Sequence, residues 1–318
     1  MDAIYLILRV LLFPGMLFTL LVSLWLAGVD RKLVARMQRR VGPPLLQPWY
    51  DFLKCCGKET IIPRKAHKPT FLLAPVLGLG CVFVVALFLP IGGISAFSAG
   101  ADVVVVLYLL TLASVTLIMG SAASGSPFAG VGLSREMVAM ISYELPLVLV
   151  LLAVGKVAGG GTPYGVTFSL QTIADYQAQS GILITHWALI PAAIAMLFVI
   201  PCEVGQQPFD IDEAETEICE GVLAEYSGAP LGRFKLMHYI KMYIMSGLFC
   251  ALFVSVHTGM LWLDTLIYLA VCTLVTFVSM TVPHAVSARF RVEQVFKFYW
   301  TIVTGLAALS LILVWLGL

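Results

Sequence analysis

The chain has 318 residues, 60% of them hydrophobic and 12% charged, with a formal net charge of +1. Runs free of Asp, Glu, Lys and Arg recur at 10–29, 69–101, 103–134, 176–202, 242–263, 265–288 and 298–318. A bilayer core takes roughly 20 apolar residues per helix, and soluble cores do not repeat such runs, so a soluble globular class is excluded in favour of an all-α polytopic membrane protein.

Eight transmembrane helices are predicted, at 3–28, 70–90, 102–122, 136–156, 184–203, 239–258, 261–282 and 296–317. The opening MDAIYLILRVLLFPGMLF starts with an acid, has no basic n-region and no small-residue cleavage site, and reads as a retained first helix. With loop 29–69 placed in the cytoplasm, the odd-numbered connections hold 17 of the 19 basic residues, leaving Arg9 and Lys156 elsewhere. The positive-inside rule then puts both termini outside. The cytoplasmic loops of this single integral domain, 1–318, are 29–69, 120–135, 203–238 and 283–296.

In the first loop, Trp49, Phe52, Leu53 and Cys56 recur at helical spacing, with Asp51, Lys54 and Lys58 on the other side. They predict a short amphipathic helix at the interface, either a plain anchor or the frame of a cavity entrance or docking site. Loop 120–132, GSAASGSPFAGVG, reads as a flexible close-approach loop suited to another subunit's backbone. It lacks the lysine of a phosphate loop.

Residues 203–225 carry eight acids and no base, whereas 30–68 carry ten bases and three acids. Pairing between these loops is expected, since neither sits comfortably alone near low-dielectric material. Asp210 is placed to cap a new helix, with Glu213 completing a capping-box variant and Asp212 in the dipole-favoured first turn. Glu213, Glu217 and Glu220 would then form an acidic stripe that needs water, a cationic partner or protonation. Glu144 falls within the fourth span, Glu136 at its start and Glu203 at the end of the fifth. An intramembrane carboxylate is expensive and is by default functional, an interhelical hydrogen bond being the plainer alternative. Together these acids suggest a proton relay running from the loop into the bilayer. Asp102 and the scattered His186, His257 and His284 read as structural residues.

The seven cysteines form no C-x-x-C pair, so neither a zinc site nor an iron–sulfur cluster is expected in this chain, and vicinal Cys55–Cys56 stays unassigned. No nucleotide loop, nucleophile arrangement, metal site, cofactor site or nucleic-acid partner is indicated. A secondary transporter is disfavoured, because no repeated half or paired interrupted helices occur.

Three segments carry a resemblance: DRKLVARMQRRVGPP (30–44), SREMVAMISYELP (134–146) and EVGQQPFDIDEAETEICEGVLAEYSG (203–228). In order and spacing they resemble the H subunit family of NADH-quinone oxidoreductase, the membrane subunit beside the quinone chamber of respiratory complex I. Within it the chain looks most like the homologous subunit of energy-converting [NiFe] hydrogenases of the Ech, CO-induced, formate hydrogenlyase and membrane-bound types. The hydrogenase-like 120–132 loop and Asp30, where complex I usually has Glu, favour that branch. Retention of the 208–210 PFD leans toward its bacterial types.

The resemblance implies a non-redox subunit that anchors a hydrogenase module and couples proton reduction to H⁺ or Na⁺ translocation. It implies a carboxylate path through Glu136, Glu144, Glu203, Asp210, Asp212, Glu213, Glu215, Glu217, Glu220 and Glu225. Docking or charge pairing would fall to Arg31, Arg36, Arg39, Arg40, Arg135 and Tyr226. The expected partners are hydrogenase large and small subunits, which would carry the NiFe centre and iron–sulfur clusters, antiporter-like membrane subunits and the lipid bilayer. The alternative is a quinone-site subunit of a complex I-type NADH- or ferredoxin-quinone oxidoreductase, and quinone is a partner only there.

Overall fold

Eight helices of the computed structural model are long and apolar enough to cross a membrane: Ile7–Met37, Lys68–Phe88, Val103–Ser124, Pro127–Ala158, Trp187–Val204, Gly228–Phe253, Leu261–Val286 and Val292–Trp315. The structure describes residues 2–92, 95, 102–160 and 165–317, without the side chains of 2–6, 215 and 216. In chain order the helices are α1 Asp2–Leu11, α2 Met16–Met37, α3 Gln47–Cys56, α4 Lys68–Phe88, α5 Val103–Ser124, α6 Pro127–Ala158 and α7 Leu170–Ser180. They continue as α8 Ile190–Val204, α9 Glu215–Ile218, α10 Gly228–Phe253, α11 Leu261–Thr276, α12 Val282–Val286, α13 Val292–Phe298 and α14 Thr304–Trp315. No strand longer than an isolated bridge, Asp102 with Ser169, occurs among the described residues.

The expected spans are all present, but several are longer than apolar runs alone indicate. α2 continues through its basic turns to Met37, because Asp30 and Arg31 find partners inside the protein. The predicted loop 120–135 is reduced to a turn at Gly125–Ser126. Gly125 closes α5 in the left-handed region (φ 70°), and Pro127 opens α6 at its first position. The small residues there admit the chain's own segment 205–227. A Cβ on Gly132 would stand 2.9 Å from the Asp212 carbonyl oxygen and 2.8 Å from the Val222 nitrogen.

The acidic segment departs most from expectation. Asp210 does not cap a helix. Only α9, four residues long, and a 3₁₀ turn at Gly221–Leu223 form there. Cys219 (φ 51°), Glu220 (φ 65°) and Gly221 (φ 44°) all take left-handed conformations, which end the helix after Ile218. No continuous acidic stripe can exist on a backbone broken at that point.

α10 is the pillar of the bundle. Its most apolar window has the lowest mean hydropathy of the eight spans, 1.4, yet 89% of it is buried; the last span has 1.8 and 28%. Polar residues are tolerated in a span that sees protein instead of lipid. α10 packs against α2, α3, α4, α7, α8 and α11. α3 is the amphipathic helix expected in the first loop, though rotated: Pro48, Trp49, Phe52 and Cys55 turn inward, while Leu53 and Cys56 stay exposed. At the same end, the Ile61 amide donates to Ser227 Oγ (2.8 Å) and the His67 amide to the Ala123 carbonyl (2.9 Å). At the opposite end α7, not expected from the sequence, buries Gln177. Its Nε2 donates to the Ala251 and Leu252 carbonyls (2.9 and 3.2 Å) and so satisfies the end of α10.

Candidate functional site

The acidic segment owes its position to apolar anchors on both sides. Phe209 packs among Phe290, Phe298 and Tyr299, and the Phe290 amide donates to the Pro208 carbonyl at 3.0 Å. Tyr226 stacks on Phe71 at 4.1 Å with rings parallel, and its hydroxyl donates to the Phe71 carbonyl (3.2 Å). Tyr226 is therefore interior, 5% exposed, where it holds the segment down. Between these anchors the chain arches over the ends of α6, α8 and α10.

Under the arch lies a cavity of about 250 Å³, lined by Arg31, Glu136, Glu203, Asp212, Glu213, Lys235, His238, Tyr239 and Lys241, among others. A second, of about 210 Å³, adjoins it between α2, α10 and α12. It shares Arg31, Gly205, Glu213, His238 and Tyr239 with the first and adds Asp30, Asp210 and His284. Four of the predicted acids, Glu136, Glu203, Asp212 and Glu213, thus meet at one chamber, and Asp210 reaches its neighbour.

The remaining candidates are placed elsewhere. Glu144 is partly exposed on α6 and lines neither cavity, although it lies within reach of the Glu203 charge. Glu217 is exposed and pairs with Arg135 at 2.6 Å. Glu220 is exposed and Glu225 half-buried, neither lines a cavity, and the side chain of Glu215 lies outside the described residues. Arg36, Arg39 and Arg40 are not part of the chamber.

The expected pairing between the basic first loop and the acidic segment is not what the ion pairs record. Arg31 binds Asp51 within its own loop (2.8 Å) and donates to Tyr239 Oη (2.6 Å). The acids instead meet bases carried by, or next to, the spans: Asp210 with Arg289 (2.7 Å), Glu217 with Arg135, and Glu203 with Lys241 (3.3 Å). Lys241, which the charge pattern places in a cytoplasmic connection, is 4% exposed inside α10. It also falls in the first turn of the predicted span 239–258, and a helix beginning at Gly228 places it more than three turns from the helix start. Lys235, His238, Tyr239 and Lys241 are chamber residues that sequence reasoning misses. Their available signal is the ionisable stretch from Arg233 to Lys241, which opens an otherwise apolar span.

The chamber's electrostatics follow from burial. Burial pushes the Asp212 carboxyl up to about 6; neighbouring Asp210 adds to this, while hydrogen bonds from backbone amides and the Lys241 charge oppose it. Burial, with Asp212 and Asp210 beside it, holds Glu213 well above the usual carboxylate range. Its residual accessibility is to the cavities it lines. Burial also raises Asp51, but hydrogen bonds from Arg31 and Gln47 outweigh it and leave that carboxyl lowered. The arrangement therefore favours the protonated form of Glu213 and lets Asp212 exchange a proton at about pH 6. It is walled by an ion pair, Glu203–Lys241, whose side chains are 1% and 5% exposed.

No group of three or more His, Cys, Asp or Glu residues able to hold a metal ion occurs among the described residues. A second buried network borders the chamber. Asp30 accepts from Thr281 Oγ1 (2.6 Å) and Gln206 Nε2 (2.9 Å), and Gln206 stands 3.3 Å from His284 Nδ1. Thr281 closes a π-helical turn, Phe277–Thr281, a local widening of the kind often found at functional sites.

Eight apolar spans enclosing a chamber lined by ionisable side chains beneath one end define a polytopic membrane subunit with an internal charged site. The family profile described as NADH dehydrogenase matches residues 10–315. The NADH-quinone oxidoreductase H subunit of Thermomicrobium roseum is 34% identical over 310 residues, covering 90% of this chain and 89% of the relative. The corresponding H 2 subunit of Syntrophobacter fumaroxidans is 31% identical, with 94% and 93% covered. A chain from the membrane-bound sulfane sulfur reductase, an archaeal respiratory membrane complex, superposes with a TM-score of 0.86 at 31% identity, covering 98% of this chain and 99% of that one. The chain belongs to the NADH dehydrogenase family of membrane subunits, that of the complex I H subunit. These relatives are subunits of multi-subunit membrane oxidoreductase complexes.

Proposed function

We propose that this chain is the non-redox coupling subunit of a complex I-type oxidoreductase in a prokaryotic inner membrane. Electron transfer in a docked module changes charge at the chamber, and the change passes as proton movement through Glu213, Asp212, Glu136 and Glu203. Partly exposed Glu144 is the lateral exit toward an antiporter-like neighbour. The observation that carries this is the convergence of four acids and a buried Glu203–Lys241 pair on one cavity. Ionised groups are costly inside a membrane protein unless ion or proton movement uses them.

Two readings differ in what reaches the chamber. The quinone-site reading is favoured by the relatives' names and by two adjoining cavities of about 250 and 210 Å³, together of the size that holds a small organic ligand. The hydrogenase reading is favoured by the likeness to the sulfane sulfur reductase chain and by the seven charged residues that line the first cavity beside Leu117, Val204, Leu223, Phe234 and Met237, more charge than a quinone needs. Purification of the intact complex in mild detergent, with analysis of bound quinone, nickel and partner subunits, separates the two. In closed vesicles, Glu203→Gln and Glu136→Gln should each lower protons moved per electron. Unchanged ratios in both would refute the coupling reading.

A further inference from the structure

Lys241 is a lysine enclosed in the middle of a membrane protein, although its place in the charge pattern suggests a loop. Its Nζ stands where four spans meet. It donates to Ser114 Oγ of α5 at 2.7 Å and lies 3.3 Å from Glu203 Oε1 of α8. Ser114, itself fully buried, is also a hydrogen-bond partner of Glu136 of α6, and Glu136 feels the Lys241 charge. Neither carboxylate oxygen of buried Glu203 receives a well-aligned hydrogen bond. The ammonium thus donates to a serine between two carboxylates and, at 3.4 Å, to the Glu203 backbone carbonyl, while it stands merely adjacent to the Glu203 carboxylate. A structural ion pair would be expected to close onto its carboxylate, since a buried charge is tolerated only with good geometry. A lysine head on a four-carbon stem with three rotatable donors can exchange partners over such short distances.

We propose that Lys241 is the switching cation of the coupling path, its ammonium passing between Glu203 and Glu136 with Ser114 as the midpoint; this rests on the coupling reading above. When a proton arriving by way of Asp212 and Glu213 neutralises Glu136, Glu203 is the one remaining anion of the two, and the ammonium closes on it. When Glu136 gives up its proton, the ammonium is drawn back through Ser114. Glu203 is then left without its counter-ion and can accept a proton. The proton that leaves Glu136 is the one Glu203 takes up, so one O–H bond breaks and one forms, and no electron is transferred. The lysine converts proton occupancy on the chamber side into proton affinity on the inner side, and it acts as a positioning residue for both carboxylates.

The test uses the intact complex in closed membrane vesicles, reading protons moved per electron transferred with a pH-sensitive dye. Lys241→Met, nearly isosteric and uncharged, should lower the ratio by roughly tenfold or more. Lys241→Arg, which keeps the charge, should restore a substantial part of it, and Ser114→Ala should lower it by about two- to fivefold. A Lys241→Met ratio at the wild-type value overturns the proposal. So does an arginine variant as impaired as the methionine one in a fully assembled complex. If Lys241→Met fails to assemble, Lys241→Gln, which keeps hydrogen-bond donors for Ser114 but no charge, is compared with Lys241→Arg in the same vesicles, where loss with glutamine and retained pumping with arginine are expected and equal pumping in the two is the overturning result. Loss of pumping in Glu203→Gln and Glu136→Gln alongside full pumping in Lys241→Met removes this proposal alone. Full pumping in all three removes the coupling reading with it.

Discussion

Replacing Glu203 by glutamine leaves the Lys241 ammonium buried without its carboxylate. Two unit charges 3.3 Å apart attract by about 5 kcal/mol at an effective dielectric constant of 20. Breaking a buried pair by removing one partner costs about 3–5 kcal/mol, because the survivor stays charged and dry. Ser114 recovers only part of this, since it already holds the ammonium in the native protein. For a chain of this size about 2 °C is lost per kcal/mol, so Glu203→Gln should melt roughly 6–10 °C below wild type. Buried Cys202, Cys250 and Cys272 provide the assay: a fluorogenic maleimide labels them only as the bundle opens on heating in mild detergent. The double variant Glu203→Gln/Lys241→Met carries no uncompensated charge and should recover most of the loss. A single variant within about 2 °C of wild type, or a double variant whose loss is the sum of the singles, would refute the assignment of a working ion pair.

Asp212 predicts a pH dependence. Its carboxyl sits near 6 in the folded protein and near 3.8 when unfolded, so the folded state holds a proton that the unfolded chain releases between these values. Its contribution is fully present below about pH 4 and lost as pH rises through about 6. It amounts to on the order of 3 kcal/mol. Wild type should therefore gain stability relative to Asp212→Asn as pH falls from 7 to 4, and a constant difference across that range in thiol-labelling melts would contradict the raised carboxyl. Arg289→Ala removes the partly buried partner of Asp210 and should cost about 1–3 kcal/mol, loosening segment 205–227 and speeding its limited proteolysis; cleavage at the wild-type rate would show that the Phe209 cluster alone holds it. Gly28→Ala drives a Cβ into the Leu45 carbonyl, which is backbone and cannot swing aside. That variant should lose the packing of loop 38–46 on α2 and, with it, at least about 2 kcal/mol; an unchanged melt would mean the close approach is absent in solution.

How far the sequence could be read followed from the scale of the forces involved. The eight spans were legible because bilayer thickness imposes a length of apolar residues that few charges can interrupt. The amphipathic first-loop helix was legible for a related reason, the periodicity of Trp49 and Phe52. Span ends were less so. Arg135 falls in a predicted loop and Glu136 and Lys241 in the first turns of predicted spans, yet all three lie well inside helices, with Glu217 and Glu203 answering Arg135 and Lys241. The stretch 208–228 shows the same limit. Its acid content was evident, and two of its acids, Asp212 and Glu213, do line one cavity with Glu203, but helical periodicity was the wrong guide. Left-handed residues at 219–221 and ring contacts of Phe209 and Tyr226 replaced a regular helix with an arch.

Residue order alone settled the membrane class, the number of spans and the presence of a dense acidic segment, because these depend on local composition and on a solvent that rejects unpaired charge. Tertiary structure alone decided which acids meet and which base answers them. Arg31, one of ten bases in 30–68, turned to Asp51 and Tyr239, while Lys241, distant from Glu203 in sequence, became its neighbour. Electrostatic pairing is decided over a few ångströms, and in a helical bundle those distances are set by how α5, α6, α8 and α10 pack, which no run of residues in any one of them records.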